Sequence, residues 1–141
     1  MSKTYFNSMI TGNSEMLGCL ANRGELVRLF WPHIDYPQHI DRFITGVTCP
    51  AAWQGASWLH SEAWQVSQRY IDDTNVAVTV YNHIESGLTV TQTDFVHPDR
   101  PVYTRCYEVE NKGGADVSIG FVAYSSSVTT SPHPAGILFE Q

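Results

Sequence analysis

Charged residues are scarce in this sequence, and positive ones are scarcer than negative ones. Only 16% of the 141 residues are charged, with 8 Lys and Arg against 14 Asp and Glu, and the formal net charge is -6. The arginines are scattered and form no basic run, so we expect neither a nucleic acid nor an anionic membrane as a partner. Apolar residues make up 43% of the chain, which indicates one globular domain rather than a disordered segment.

Cysteines and long hydrophobic runs are also scarce. Cys19, Cys49 and Cys106 are odd in number and far apart, which predicts neither a disulfide framework nor a structural zinc site. Cys19 lies in an apolar stretch and is expected to be a small core residue. The first residues lack the apolar core of a signal peptide, and no run is long enough to span a bilayer. These features predict a cytoplasmic protein.

Helical periodicity is missing almost everywhere, and the alternation of apolar and polar residues is that of strands. The best helical candidate, 57–68, has neither charge pairs nor a clear end. Runs of β-branched and aromatic residues with period two predict half-buried strands separated by turns. The strands are expected at 52–59, 64–71, 76–81, 88–95, 102–109 and 117–124, with turns at 22–24, 72–75, 85–87, 97–101 and 111–114. The sequence therefore predicts an all-β fold, an antiparallel β-sandwich.

The end of the chain is unusual for a complete sandwich. Residues 125–134 are rich in Ser, Thr and Pro and are expected to form a loop, whereas 136–141 resemble the opening of another strand. A sandwich normally completes its last strand, so we expect residues 1–141 to form a single β-sandwich domain that is incomplete at its C-terminal end.

The stretch 24–43 is the most informative part of the chain. An apolar run at 26–31 is stopped by Pro32 and Pro37, and a loop follows that is loaded with polar and aromatic side chains. Such side chains are poorly suited to a core but well suited to a polar ligand site. The candidate substrate-binding residues are Trp31, His33, Asp35, Tyr36, His39 and Arg42.

Four segments carry a resemblance to a known family: 11–18, 22–35, 93–98 and 102–111. Their turn and strand patterns resemble the N-terminal β-sandwich domain of glucoamylase- and glucodextranase-type enzymes of glycoside hydrolase family 15. The resemblance implies part of a large, extended sandwich of the kind that these enzymes carry. Ser14 stands where that family usually has a glycine, so it is expected to avoid a positive φ angle.

The resemblance also implies what the chain does. Family members cleave α-glucosidic bonds with two glutamates on a helical (α/α) barrel that follows the sandwich. Nothing in this sequence matches the barrel, so no catalytic residue is expected. The implied function is a non-catalytic accessory domain that supports or lines the α-glucan site of a catalytic domain.

Other interpretations of the same residues stay open. The aromatic content of 12% also fits an autonomous carbohydrate-binding or assembly module. For the isolated chain the favoured interpretation of the loop is that Phe30 and Trp31 pack in the core while Asp35 pairs with Arg42. The three tryptophans at 53, 58 and 64 could form a binding platform, although buried tryptophans are commoner in sandwiches.

Similar arguments give the expectations about bound metals and partner chains. The acids and histidines at 33, 35, 39 and 41 lie on a proline-broken loop and need not converge, so no transition metal is expected. Calcium is weakly supported at Asp72, Asp73 and Asn75, which equally fit a hairpin turn. Uncovered strand edges of an incomplete sandwich favour self-association or contact with a catalytic barrel domain.

Overall fold

The computed structural model describes residues 6–128, and every regular element in that range is a β-strand. The all-β prediction is confirmed, and the described residues contain no helix that could cross a membrane. In chain order the strands are β1 Met9–Gly12, β2 Leu17–Leu20, β3 Leu26–Phe30, β4 Ile40–Thr48, β5 Ala56–Trp58, β6 Trp64–Tyr70, β7 Ala77–His83, β8 Leu88–Val96, β9 Tyr103–Asn111 and β10 Gly120–Ser127.

The strands form two antiparallel sheets, as a β-sandwich requires. The larger sheet has the order β1-β2-β3-β4-β10, with β5 also paired to β4. The smaller sheet is a meander of β6-β7-β8-β9. On β8, alternate residues share one face and are buried, whereas Thr91, Thr93 and Phe95 on the other face are only partly covered. That alternation lets one face of the smaller sheet pack on the larger one.

The core consists of side chains from both sheets. Its larger cluster joins Val47 of β4 to Tyr81 and Val90 of the smaller sheet, and a second cluster joins Leu26 to Ala77. Cys19 is 1% exposed, which confirms its place as a small core residue. Burial of apolar surface between the sheets therefore holds the two sheets together.

The predicted turns connect the strands where the sequence places them. Residues 22–24 join β2 to β3, 72–75 join β6 to β7, 85–87 join β7 to β8, and 97–101 join β8 to β9. Among the described residues only Asp73 has a positive φ (60°) without being a glycine, so Ser14 avoids that region as expected. Local turn chemistry is thus readable from the sequence.

Two predicted strand boundaries are wrong. The strand expected at 52–59 is reduced to Ala56–Trp58, because the amides of Ala52 and Trp53 both donate to the carbonyl of Cys49 and form a turn. The strand expected at 117–124 starts at Gly120 and runs to Ser127, so 125–127 are not a loop. Pairing with β4 extends to Ser127, which is opposite Ile40, and this ladder outweighs the low strand preference of serine. The strand expected at 136–141 lies outside the described residues.

Candidate functional site

Five of the six predicted sugar-binding residues lie on the loop between β3 and β4, at 31–39. Trp31 is 44% exposed and Tyr36 is 49% exposed, so neither ring is a core residue. The alternative in which Trp31 packs in the core is therefore wrong. The loop presents two large aromatic surfaces to solvent, which is the property expected of a sugar-contacting segment.

Local hydrogen bonds fix the shape of this loop. His39 Nε2 donates to the carbonyl oxygen of Trp31 (2.6 Å), and the His39 amide donates to the carbonyl of Leu29 (2.8 Å). The rings of Trp31 and His39 have centroids 6.4 Å apart, and the Trp31–Pro32 peptide bond is cis. Further along, His33 Nδ1 lies 3.2 Å from Asp35 Oδ2. The loop thus contains two contacting pairs, Trp31 with His39 and His33 with Asp35.

Arg42 is separated from the other predicted residues. It lies within β4, and its guanidinium donates to Glu25 Oε1 from Nε (3.1 Å) and from Nη2 (2.5 Å). The ion pair proposed between Asp35 and Arg42 is therefore wrong, because Arg42 pairs instead with Glu25, a carboxylate that is 6% exposed and immediately precedes β3. Arg42 belongs to a second cluster, which also contains His60.

The His60 imidazole is held neutral in this second cluster. Arg42 Nη2 lies 3.3 Å from His60 Nε2, and His60 Nδ1 is buried without a hydrogen-bond partner among the described residues. Burial lowers the pKa of His60, and the positive charges of Arg42 and Arg23 lower it further, against the opposing effect of Glu25. The electrostatic environment therefore disfavours protonation of this histidine.

We expect the free energy of unfolding to fall as the pH decreases below the ordinary histidine pKa of 6.5. The folded state binds a proton at His60 less readily than the unfolded state does, so acid favours unfolding, and stability is highest above that pH. Urea unfolding followed between about pH 7.5 and about pH 5.5 should show this dependence, and His60→Gln should weaken it.

The matched control is His33→Gln, which removes an exposed histidine and should keep the dependence of the unaltered protein. A residual slope in His60→Gln is expected, since burial also lowers the pKa of His83. An identical pH dependence with and without His60 would contradict the assignment.

A cleft at one end of the sandwich contains residues that were not predicted as a site. We name it the Trp53 cleft; it has a volume of about 380 Å³, and its lining includes Trp53, Gln54, Ser57, Trp58, His83 and Glu85. The turn before β5, β5 itself, the end of β7 and the β7–β8 turn supply these residues. Sequence reasoning missed His83 and Glu85, because nothing near them in the chain marks a site.

The tryptophans of the 53–64 region do not form an exposed row. Trp64 is 1% exposed and belongs to the core, which confirms the commoner interpretation for that residue. Trp53 and Trp58 are only half-buried and reach the surface at the cleft. Trp64 therefore packs in the core, Trp53 both packs against the core and reaches the cleft, and Trp58 lies at the cleft.

In the acidic turn considered for calcium, the Asn75 side chain is used in a hydrogen bond within the protein. Asp72 and Asp73 lie between β6 and β7, and the side-chain amide of Asn75 donates to the carbonyl of Gly12 (2.6 Å). Within residues 6–128, no group of three or more His, Cys, Asp or Glu side chains is arranged to hold a metal. Calcium binding at this turn stays a prediction without structural support.

Comparison with known proteins gives one informative relationship. The sequence is 27% identical over 103 residues to an uncharacterized glycosyl hydrolase of Methanocaldococcus jannaschii. The match covers 73% of this chain but only 16% of that relative, so this chain spans a small part of the relative's length. No protein-family profile and no solved structure matches the sequence. The chain is thus related to a protein described as a glycosyl hydrolase, without a narrower family assignment.

Proposed function

We propose that this chain is a non-catalytic, accessory β-sandwich domain of a glucoamylase-like glycoside hydrolase that acts on α-glucans. The observation that carries the proposal is the match of most of this chain to a small part of a much longer glycosyl hydrolase. A region that occupies 16% of a hydrolase and folds as a sandwich is of the size expected for a supporting domain.

The β3–β4 loop would be the part of this domain that contacts sugar. Its exposed Trp31 and Tyr36 can stack on the apolar faces of sugar rings, and His33 with Asp35 can hydrogen-bond to hydroxyl groups. The loop is open to solvent, so a second surface is needed to enclose a ligand there. An adjacent catalytic domain would supply that surface.

The edge of the larger sheet supports contact with another domain or a second copy. Strand β10 ends that sheet, contains no charged residue, and exposes Phe121, Val122 and Tyr124 at 45%, 37% and 52%. Uncharged apolar edge strands pair readily with other chains, because little prevents the addition of a further strand. Sedimentation of the isolated chain at high concentration distinguishes a self-associating protein from one that requires a different partner.

The isolated chain is expected not to hydrolyse maltose, starch or dextran. Glycoside hydrolysis needs one protonated and one ionised carboxyl group on either side of the scissile bond. Among residues 6–128 the two buried carboxylates, Glu25 and Asp94, are instead neutralised by Arg42 and Arg105. Glucose release is the measurement, with a known glucoamylase as the positive control.

The accessory role would be contradicted by turnover that depends on residues of this chain. Glu62 and Glu85 line one depression of about 300 Å³ and are the pair to examine. Glucose release that persists through repeated purification and disappears in Glu62→Gln or Glu85→Gln would assign catalysis to the sandwich itself.

An autonomous carbohydrate-binding module is the second candidate function, and the exposed aromatic rings of the loop favour it. It differs from the accessory role in that the isolated chain would bind maltooligosaccharides through the loop. Saturable binding that is lost in Trp31→Ala would favour this candidate.

A further inference from the structure

We propose that the Trp53 cleft is a binding site for sugar rings, separate from the β3–β4 loop. The cleft and the loop share no residue, and they are built by different connections of the fold. The choice of a sugar among small polar ligands rests on the proposed relationship to α-glucan hydrolases, whereas the site itself rests on geometry.

The aromatic walls of the cleft are held in place. Trp53 Nε1 donates to the carbonyl of Val47 (3.0 Å), which fixes the indole against β4. Trp58 lies so close to Gly46 that a Cβ added there would stand 3.0 Å from the indole ring. Because these rings are fixed before a ligand arrives, little conformational entropy is lost on binding.

The polar groups of the cleft are also oriented by hydrogen bonds. Ser57 Oγ accepts from Trp64 Nε1 (2.9 Å), so the serine hydroxyl keeps its own hydrogen for donation. His83 packs between two indoles, with ring centroids 4.5 Å from Trp53 and 4.8 Å from Trp64. These contacts place a hydroxyl and an imidazole beside the aromatic walls.

His83 presents a defined hydrogen-bond donor. Its Nδ1 accepts from the Ser86 amide (3.2 Å), which places the proton of the neutral ring on Nε2. Burial lowers the pKa of His83 and favours this neutral form. Glu85, two residues later, lines the same cleft and supplies a carboxylate that can accept from hydroxyl groups.

The chemistry of the lining selects a neutral, hydroxyl-rich ligand. Aromatic surfaces lie beside donors and acceptors, and the part of the lining that residues 6–128 supply contains no lysine or arginine to attract an anion. Two further depressions adjoin the cleft. The one of about 400 Å³ shares Trp53 with the cleft on one side, and the one of about 300 Å³ shares His83 with it on the other. A row of contiguous depressions suits an oligosaccharide of several linked rings better than it suits a single sugar ring.

The test is calorimetric titration of the isolated chain with maltotetraose, with cellotetraose as a second glycan. We expect saturable binding of maltotetraose that is weakened at least about fivefold in Gln54→Ala/Glu85→Ala, which removes two exposed polar side chains. Ala52→Leu places a larger side chain in the lining and should weaken binding similarly. Arg69→Ala, on the exposed side of β6 and outside both the cleft and the loop, should bind as the unaltered chain does, and equal unfolding midpoints would show that the variants are folded.

The results with these variants show whether the Trp53 cleft or the β3–β4 loop binds the glycan. Binding that is lost in Trp31→Ala and kept in the cleft variants would overturn the cleft and favour the loop as an autonomous site. Failure of both glycans to saturate would also overturn the cleft. The accessory role is judged separately by the absence of glucose release, so the two proposals can fail independently. Saturable binding of either glycan that is weakened in the cleft variants supports the site.

Discussion

Replacing Arg105 with methionine is expected to lower the free energy of unfolding by about 3–5 kcal/mol. Arg105 Nε donates to Asp94 Oδ1 over 2.5 Å, and the two side chains are 6% and 0% exposed. Burial opposes the charge on Arg105, but Asp94 together with Tyr103 and Tyr107 raises the pKa of the guanidinium, which keeps Arg105 charged. Methionine fills a similar volume but leaves the buried carboxylate without its counter-charge.

The neutral neighbours cannot compensate for that loss. Tyr103 donates to Asp94 Oδ1 (2.7 Å) and Gln92 donates to Asp94 Oδ2 (2.7 Å), but neither carries a positive charge. Denaturant unfolding measures the effect. The control is Arg69→Met on the exposed side of β6, which should change stability by less than about 0.5 kcal/mol. A similarly small change in Arg105→Met would refute the importance of the buried pair.

Replacing Gly24 with alanine is expected to cost about 3 kcal/mol or more, from backbone strain and overpacking together. Gly24 has a φ of 81°, which side chains other than glycine disfavour. A Cβ at this position would lie 1.8 Å from the Tyr81 hydroxyl oxygen. That hydroxyl cannot easily withdraw, because Tyr81 is 1% exposed and donates to the carbonyl of Arg23 (3.0 Å).

Two variants separate strain from overpacking at Gly24. Gly55 has a similar φ of 75° with nothing within 4 Å of an added Cβ, so Gly55→Ala should show only the backbone cost of about 1 kcal/mol. Tyr81→Phe removes the hydroxyl and should recover part of the loss when combined with Gly24→Ala. Equal effects of alanine at positions 24 and 55 would show that the clash is relieved elsewhere.

Gly24 and Arg105 matter because they connect the two sheets beside the Trp53 cleft. The carbonyl of Gly24 accepts from Gln92 (2.9 Å) and from Arg105 (3.0 Å), which ties the β2–β3 turn to the smaller sheet. Arg23 of the same turn donates to the carbonyls of His60 (2.6 Å) and Ser61 (2.7 Å). A turn of the larger sheet thereby positions the segment that continues into the cleft.

Much of the fold follows from the sequence because the relevant forces are local. Alternation over 88–95 predicts strand β8, and turn residues such as 72–75 mark the hairpins. The prediction was wrong where neighbouring strands decided the boundary, as at 125–127, which pair with β4 despite three serines. It was also wrong at 52–55, where a turn precedes β5.

The candidate sites were less predictable than the fold. The loop that carries Trp31 and Tyr36 could be anticipated, since prolines end the strand there, but the exposure of the Trp31 ring could not. The partner of Arg42 could not be, because Glu25 lies 17 positions away and only the packing of β3 beside β4 brings it close. Charge pairing in a sandwich depends on register, which composition does not encode.

By itself the sequence determined the class of fold, the main strands and hairpin turns, and an aromatic loop at 31–39. Each of these depends on residues within a few positions of one another. Only the tertiary structure determined the buried Asp94–Arg105 pair and the Trp53 cleft. The cleft joins the turn before β5 to the β7–β8 turn, about thirty positions apart. Packing of the two sheets creates that proximity, so no local pattern could reveal it.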